Sequence, residues 1–311
     1  ALAAAQVSAA LAMEGFRANL SPLDPRRVVA ARPAPGQDWS ATDLRALLAD
    51  GALQQPGAAR RLQDPLSFRC VSQIHGSLHT ALGLLEAALA PELSGAADNP
   101  LVLSVDADVL STGNFHVPAL ALALDATAIA VAQVASAITE RIARLSTERL
   151  SGLPTALVAG DATRSGAAPL GKTAQALTLE IRHLAAPLAI HAGVGADGVE
   201  DDSTGAAQAA LRLRASVHRL ELLVAVELLV AAQAVELAAV ARLGRGTSAA
   251  HACVRELVAP LGEDRPLGPD VERLARDALA SGELGRRVQA ARESLAGSGR
   301  DRVVPGRTPP R

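Results

Sequence analysis

Tyrosine is absent from the 311 residues, and Phe16, Phe68, Phe115 and Trp39 are the whole of the chain's Phe and Trp. The apolar half of the composition is therefore mostly Ala, Leu and Val. Ala and Leu are strong helix formers, so this balance favours a mostly helical protein. Cysteine is scarce as well: Cys70 and Cys253 stand alone, outside any CxxC pair or secreted-style framework, and are expected as reduced, buried thiols. Lys172 is the one lysine, a pattern read as the codon bias of a GC-rich genome. A net charge of −2 leaves no broad basic surface for nucleic acid. The longest apolar stretch, Leu222 to Val235, is interrupted by Glu227 and Gln233, which argues against a bilayer span. No charged-then-apolar leader is read at the start, and a cytoplasmic protein is expected. The first residues already read as a helix in progress, with Met13 inside it, so the chain looks cut from a longer protein or processed.

Helical periodicity is clearest at 1–17, 67–89, 118–145 and 203–243, the last about eleven turns long. Shorter helices are expected near 42–50, 168–186, 249–258, 270–281 and 284–295. The segment 91–114 is rich in Pro, Asp, Asn and Gly, and its two apolar runs could pair as a small hairpin. These elements predict an all-α fold, an elongated bundle of long helices, over residues 1–296, with 297–311 as a flexible tail. Helices apolar on several faces bury more than one of them, so subunit association is expected.

Three motifs invite other functions. Gly166 to Thr173 spells a phosphate-binding loop, GxxxxGKT, with Lys172 in the lysine position. Such a loop needs a preceding strand, and only a short Leu157-Val158-Ala159 run precedes it. A P-loop NTPase is the weaker alternative; a helix start with a surface lysine is the plainer one. Gly193, Gly195 and Gly198 match a dinucleotide fingerprint, but Glu200, Asp201 and Asp202 follow at once and would repel a pyrophosphate. His75 and His79 are four apart on one helix face, with Gly76 where a metalloprotease has Glu, and read as ordinary helix histidines.

Four further segments fall in one order. They are Gln63-Asp64-Pro65-Leu66-Ser67-Phe68-Arg69-Cys70, Asp98-Asn99-Pro100-Leu101, Ser111-Thr112-Gly113-Asn114-Phe115-His116 and Ser151-Gly152-Leu153-Pro154. Together they resemble the Q-D-x-Y-S-x-R-C, T-D-N-P-L, S-G-G-N-F-H-G and S-G-L-P segments of the aromatic amino acid ammonia-lyases, of the histidine/phenylalanine type. The resemblance covers nearly the whole chain, as the C-terminal part of such an enzyme. It implies a homotetramer with active sites assembled from three subunits, and a small aromatic amino acid as substrate. It also implies the cofactor 4-methylideneimidazol-5-one (MIO), formed by cyclisation of an internal Ala-Ser-Gly expected upstream of Ala1. Ala280-Ser281-Gly282 is a literal match in the wrong context and reads as a helix end.

The electrophile matters because the β-proton to be removed is barely acidic and the amine is a poor leaving group. Carried over residue by residue, the resemblance makes Arg69 the clamp for the substrate carboxylate. Gln63 would orient substrate or cofactor, Phe115 would pack near the cofactor ring, and Asn114 would join Arg69 in binding substrate, with backbone bonds in its own loop also open to it. Glu200 corresponds to the acid that receives the substrate's imidazole or amine. The departures are specific. Leu66 stands where the family has Tyr and can neither donate nor accept a proton. Val199, Gly198 and Val117 replace Gln, Asn and Gly. The loop is one residue short, so the acid falls on Glu200 or, with a slip, on Val199. Three readings stay open: a lyase completed by an MIO-bearing segment or partner chain, an inactive scaffold or regulatory paralogue, and, more weakly, the NTPase. By itself the chain is expected to show no lyase activity.

Overall fold

The computed structural model describes residues 1–158, 160, 163–190, 193 and 195–294. Among the described residues the α-helices and strands run in the order α1 (Leu2–Phe16), α2 (Gln37–Leu47), α3 (Leu66–Arg69), α4 (Val71–Ser94), β1 (Leu101–Leu103), β2 (Asp108–Leu110), α5 (Pro118–Leu145), α6 (Glu148–Ser151), α7 (Ala168–Leu184), α8 (Ala206–Leu237), α9 (Arg245–Leu257), α10 (Gly268–Arg273) and α11 (Glu283–Glu293). The fold is an all-α bundle, and its one sheet among the described residues is the small antiparallel hairpin β1–β2, with Val102 opposite Val109. The tail expected at 297–311 lies outside the described residues.

The bundle is built around α8. Every residue from Leu223 to Val235 is buried, and α1, α5 and α7 pack along it. Helix α1 is equally enclosed from Ala5 to Phe16. Over those two spans the helices are apolar on nearly every face, which is the composition such a position requires. Their axes come close at Gly15, where a Cβ would stand 2.8 Å from that of Ala234. Helix α5 passes a length and hydropathy test for a membrane span, but 67% of its apolar window is buried in the bundle, as befits a core helix.

The expected boundaries shift for local reasons. The 118–145 helix is found as predicted, started by Pro118 at its first position. The 67–89 helix is two: Cys70, at φ −103° and ψ 18°, breaks helical geometry between α3 and α4. Helix α4 then runs on to Ser94 and tolerates Pro91 in its last turn. The 203–243 helix starts after Gly205, which takes φ 65°, and stops at Leu237. Helix α2 begins five residues before the predicted 42, because Gly36 supplies a left-handed N-cap at φ 71°. That glycine touches another. A Cβ on Gly76 of α4 would fall 2.6 Å from the Gly36 carbonyl carbon, and a Cβ on Gly36 would meet Gly76 backbone closer still.

Polar groups inside the bundle are paired into small networks. Glu14 near the end of α1 accepts from Gly244 N–H at 2.7 Å and Thr247 Oγ1 at 2.9 Å, tying α1 to the start of α9. Gln6 joins α1, α2 and α4: its Oε1 lies 2.7 Å from His75 Nδ1 and accepts from Ser40 Oγ at 3.0 Å. Its Nε2 donates to the Ser40 carbonyl. His75 Nδ1 therefore carries the proton, and Nε2 is buried without a partner. Burial, then the nearby Arg141 cation, holds the His75 pKa well below the ordinary imidazole value of 6.5.

A His with a depressed folded pKa contributes stability that is fully present above the unfolded value and is lost as pH falls toward the folded one. We expect the stability of the wild-type chain to fall below pH 6.5 more steeply than that of His75→Gln, by up to about 1.4 kcal/mol per pH unit. Urea unfolding at pH 5, 6 and 7 checks this, and parallel slopes for the two proteins would contradict it.

Candidate functional site

The Gln63–Cys70 segment folds as a loop leading into the single turn of α3. Pro65 opens the turn, with Phe68 and Arg69 N–H groups both donating to its carbonyl at 3.0 Å. Two side chains fix the turn from below. Phe68 is buried and stacks on Phe16 of α1 at 4.1 Å, and Arg61 lies over the Phe16 ring at 5.5 Å. Asp64, also buried, accepts from Asn19 N–H at 2.6 Å, while Asn19 Nδ2 donates to the Leu62 carbonyl. The loop that carries Gln63 is thus sewn to the segment leaving α1.

With Phe68 and Asp64 turned inward, Gln63, Leu66 and Arg69 are left at the surface side of the turn. Arg69 is half-buried and donates from one terminal nitrogen to Gln63 Oε1 at 3.1 Å. Its Nε is buried and has no hydrogen-bond partner. A half-buried guanidinium beside an amide is suited to a carboxylate, which can take two parallel N–H bonds from the fork. Leu66 is 61% exposed next to them. It lines an open groove of about 580 Å³ shared with Gln73, Ile74, Gln133, Ala137 and Glu140 of α4 and α5.

The other predicted residues form a second group. After the hairpin, Thr112 N–H donates to Asn99 Oδ1 at 2.9 Å and Asn114 Nδ2 to the Ala96 carbonyl at 3.2 Å. Asn114 thereby ties its loop to the segment before the hairpin. Phe115 then stands 56% exposed, and no aromatic partner stacks on it among the described residues. His116 Nε2 lies 3.1 Å from Asp202 Oδ2, bringing this loop beside the segment that carries Glu200. Glu200 is exposed and pairs with Gly195 across a narrow turn, Gly195 N–H donating to its carbonyl at 2.7 Å. Among the described residues, no hydrogen bond, ion pair or ring contact joins the Gln63–Arg69 group to the Phe115–Glu200 group within one chain.

One set of residues near the site was not foreseen. Arg141 of α5 and Glu227 of α8 form a fully buried ion pair at 2.6 Å, and Arg141 also donates to the Ser67 carbonyl in α3 at 3.2 Å. The available signal was Glu227, a lone charge in an otherwise apolar helical stretch; Arg141 is masked by Glu140 and Arg144 beside it.

The competing motifs dissolve in the structure. No strand leads directly into Gly166 among the described residues, and Lys172 is exposed. The amides at the start of the loop are taken: Ser165 and Gly166 N–H donate to the Asp264 carboxylate at 2.7 and 2.9 Å. Those two bonds hold its pKa below the ordinary Asp value, so a negative charge already sits at the start of the loop. The Gly193–Gly198 match includes Val194, which lies outside the described residues. His79 stacks on Trp39 at 4.3 Å, and His75 Nδ1 is engaged by Gln6. Ser281 caps a helix junction, its Oγ donating to the Asp277 carbonyl and accepting from Glu283 N–H. Cys70 is half-buried and Cys253 buried, and both are free thiols.

The order of the 63–70, 98–101, 111–116 and 151–154 segments now has a fold behind it. The family pattern for aromatic amino acid lyases matches residues 1–256. The chain belongs to that family. It is 38% identical over 289 residues to a histidine ammonia-lyase of Symbiobacterium thermophilum, covering 93% of this chain and 57% of that protein. A histidine ammonia-lyase of Anaeromyxobacter dehalogenans is 38% identical over 278 residues, 88% of this chain and 54% of the other. Among solved structures, histidine ammonia-lyase from Trypanosoma cruzi superimposes with a TM-score of 0.84 at 31% identity, over 93% of this chain and 54% of that one. Tyrosine aminomutase from Streptomyces globisporus gives 0.86 at 30% identity, over 93% and 59%. The chain thus spans a little over half the length of the relatives it matches.

Burial is the main cause that pushes the Asp64 carboxyl up, against the Asn19 hydrogen bond and the fields of Arg61 and Arg69. Its charge is a net cost, and its oxygen is what the loop needs. We expect Asp64→Asn to match or exceed wild-type stability at pH 7, because the amide oxygen still accepts from Asn19. Asp64→Ala should lose on the order of 1–3 kcal/mol by leaving that N–H unpaired. Equal destabilisation of both variants in urea would show that the charge itself holds the loop.

Proposed function

We propose that this chain forms the carboxylate-binding part of an aromatic amino acid ammonia-lyase, with histidine the first substrate to test. The observation that carries this is Arg69: a half-buried guanidinium, braced by Gln63, with a buried Nε that lacks a partner. In this reading Arg69 grips the substrate α-carboxylate through its fork. Gln63 holds Arg69 in register and offers its amide N–H groups toward the same mouth. Phe115, an exposed ring without a stacking partner, fits a face against the flat MIO group and the substrate ring. Glu200 would hold the substrate's imidazole or amine. When present, MIO supplies the electrophile that turns the amine into a leaving group. Ala280-Ser281-Gly282, committed to its helix junction, does not fit as its source, so a further segment or a partner chain would bring it.

The two separate groups of site residues favour an assembly, in which the Arg69 group of one subunit meets the Phe115 group of another. A homotetramer, or association with a chain carrying the N-terminal part, would also cover Leu84 and Leu93, exposed on the outer half of α4. Two free thiols fit a cytoplasmic setting. Leu66 favours a second reading, a catalytically inactive scaffold or regulatory paralogue. It is exposed beside Arg69, and its hydrocarbon side chain can move no proton.

Both readings keep a carboxylate site. Calorimetric titration of urocanate and cinnamate should show binding that weakens roughly ten- to hundred-fold in Arg69→Ala, as for a lost charge-assisted bond of about 1.5–3 kcal/mol. Arg69→Lys should weaken it too, since an ammonium cannot reproduce the fork. Wild type and Arg69→Ala binding alike would remove Arg69 from the site.

A further inference from the structure

Arg141 is among the largest fully buried side chains in the protein, and its donors are divided between two tasks. Nε and one terminal nitrogen donate to the two Glu227 oxygens at 2.6 and 3.1 Å. The other terminal nitrogen donates to the Ser67 carbonyl at 3.2 Å. Ser8 of α1 completes the shell by donating to Glu227 Oε2 at 2.5 Å. The second task is not needed to neutralise the first. A bidentate pair already satisfies the charges, yet the fork is placed so that its remaining arm reaches α3.

The Ser67 carbonyl is well chosen as a handle. It belongs to a single turn whose geometry breaks at Cys70, so the turn lies outside the regular α4 helix and joins it through the Cys70 peptide bonds. The hydroxyl of Ser67 is buried and makes no hydrogen bond, which leaves the carbonyl as that residue's polar tie to the core. Phe68 against Phe16 supplies a flat apolar contact, which resists lifting but not sliding. A directional hydrogen bond from a fixed guanidinium supplies what the stack lacks. Arg69 is two residues along the same turn, and Leu66 is one residue before.

We propose that Arg141 is a positioning residue for the ligand-binding arm: held rigid by Glu227 and Ser8, it fixes the Ser67 carbonyl and so sets where the Arg69 guanidinium points. This rests on the reading of Arg69 as the carboxylate-binding group. It assigns to the α5–α8 ion pair a role in ligand geometry besides its role in the core.

The test separates the two ideas by using two readouts on the full chain. The first is amide hydrogen exchange over residues 62–72 in wild type, Arg141→Lys and the double variant Arg141→Met/Glu227→Leu. The double variant leaves no unpaired buried charge, which is the usual cause of collapse at such a site. Arg141→Lys keeps a charge beside Glu227 but cannot also span to Ser67, and it decides alone if the double variant does not fold. The Phe68, Arg69 and Cys70 amides should exchange roughly tenfold faster, as for one lost charge-assisted hydrogen bond, while α1 and α8 keep wild-type protection. Wild-type exchange in the 62–72 segment of a folded variant would overturn the proposal, whatever the ligand results.

The second readout is urocanate and cinnamate affinity. Arg141→Lys should lose roughly tenfold, and the loss should vanish in an Arg69→Ala background, because the effect travels through Arg69. The same loss in both backgrounds would mean a general effect on the fold and would also overturn it. If Arg69→Ala binds like wild type, the carboxylate reading fails by itself, and the exchange experiment still judges whether Arg141 orders the turn.

Discussion

A carboxylate in the middle of a helix that is enclosed on every side has to be answered, and Glu227 is that carboxylate. Removing one ion from water costs several kcal/mol after relaxation, and the cost is met only by good geometry with the remaining lone pairs filled. Arg141 and Ser8 meet those conditions at 2.5–3.1 Å. Because a planar fork tolerates little misalignment, the pair fixes the rotation and rise of α5 against α8, and Ser8 adds α1 to the same register. The three most enclosed helices are thus locked at one depth, and the short turn bearing Arg69 is hung from the lock.

The long helices were legible because composition alone specifies them. The 118–145 stretch is an Ala-rich run that starts on a proline, and it forms one helix over that span. Where the sequence misled, a single dihedral was responsible. Cys70 has no special propensity that would announce a break, so 67–89 reads as continuous although the structure divides it. Gly36 reads as part of a loop, whereas its left-handed conformation is what starts α2. Of the site, the Gln63–Arg69 hydrogen bond could be anticipated because both lie around one turn. The relation of Phe115 to Glu200 is carried by a contact between His116 and Asp202, 86 residues apart, and no local pattern encodes it. The Arg141–Glu227 pair also spans 86 residues. Glu227 alone looks like an interruption in an apolar run, and Arg141 like one more charge beside Glu140 and Arg144; only together do they make sense.

The phosphate-loop match shows the opposite failure, a local pattern with the wrong surroundings. Gly166 does give the chain a left-handed turn, and the amides of residues 165 and 166 do converge. They converge on Asp264, so the same local geometry that would bind an anion has been supplied with one from the chain itself. A glycine-rich loop before a helix is an anion cradle in general; which anion fills it is decided by a residue about a hundred positions away.

Finally, the contact between Gly36 and Gly76 limits how this sequence can vary. In most tight helix contacts a larger residue on one side can be accommodated by a smaller one opposite. Here the nearest atoms to either would-be Cβ are main chain: the Gly36 carbonyl and Gln37 nitrogen on one side, the Gly76 carbonyl and α-carbon on the other. No exchange of side chains creates room there. The two positions are therefore independent constraints, each closed to substitution regardless of the other, and a compensating change would have to move a whole helix.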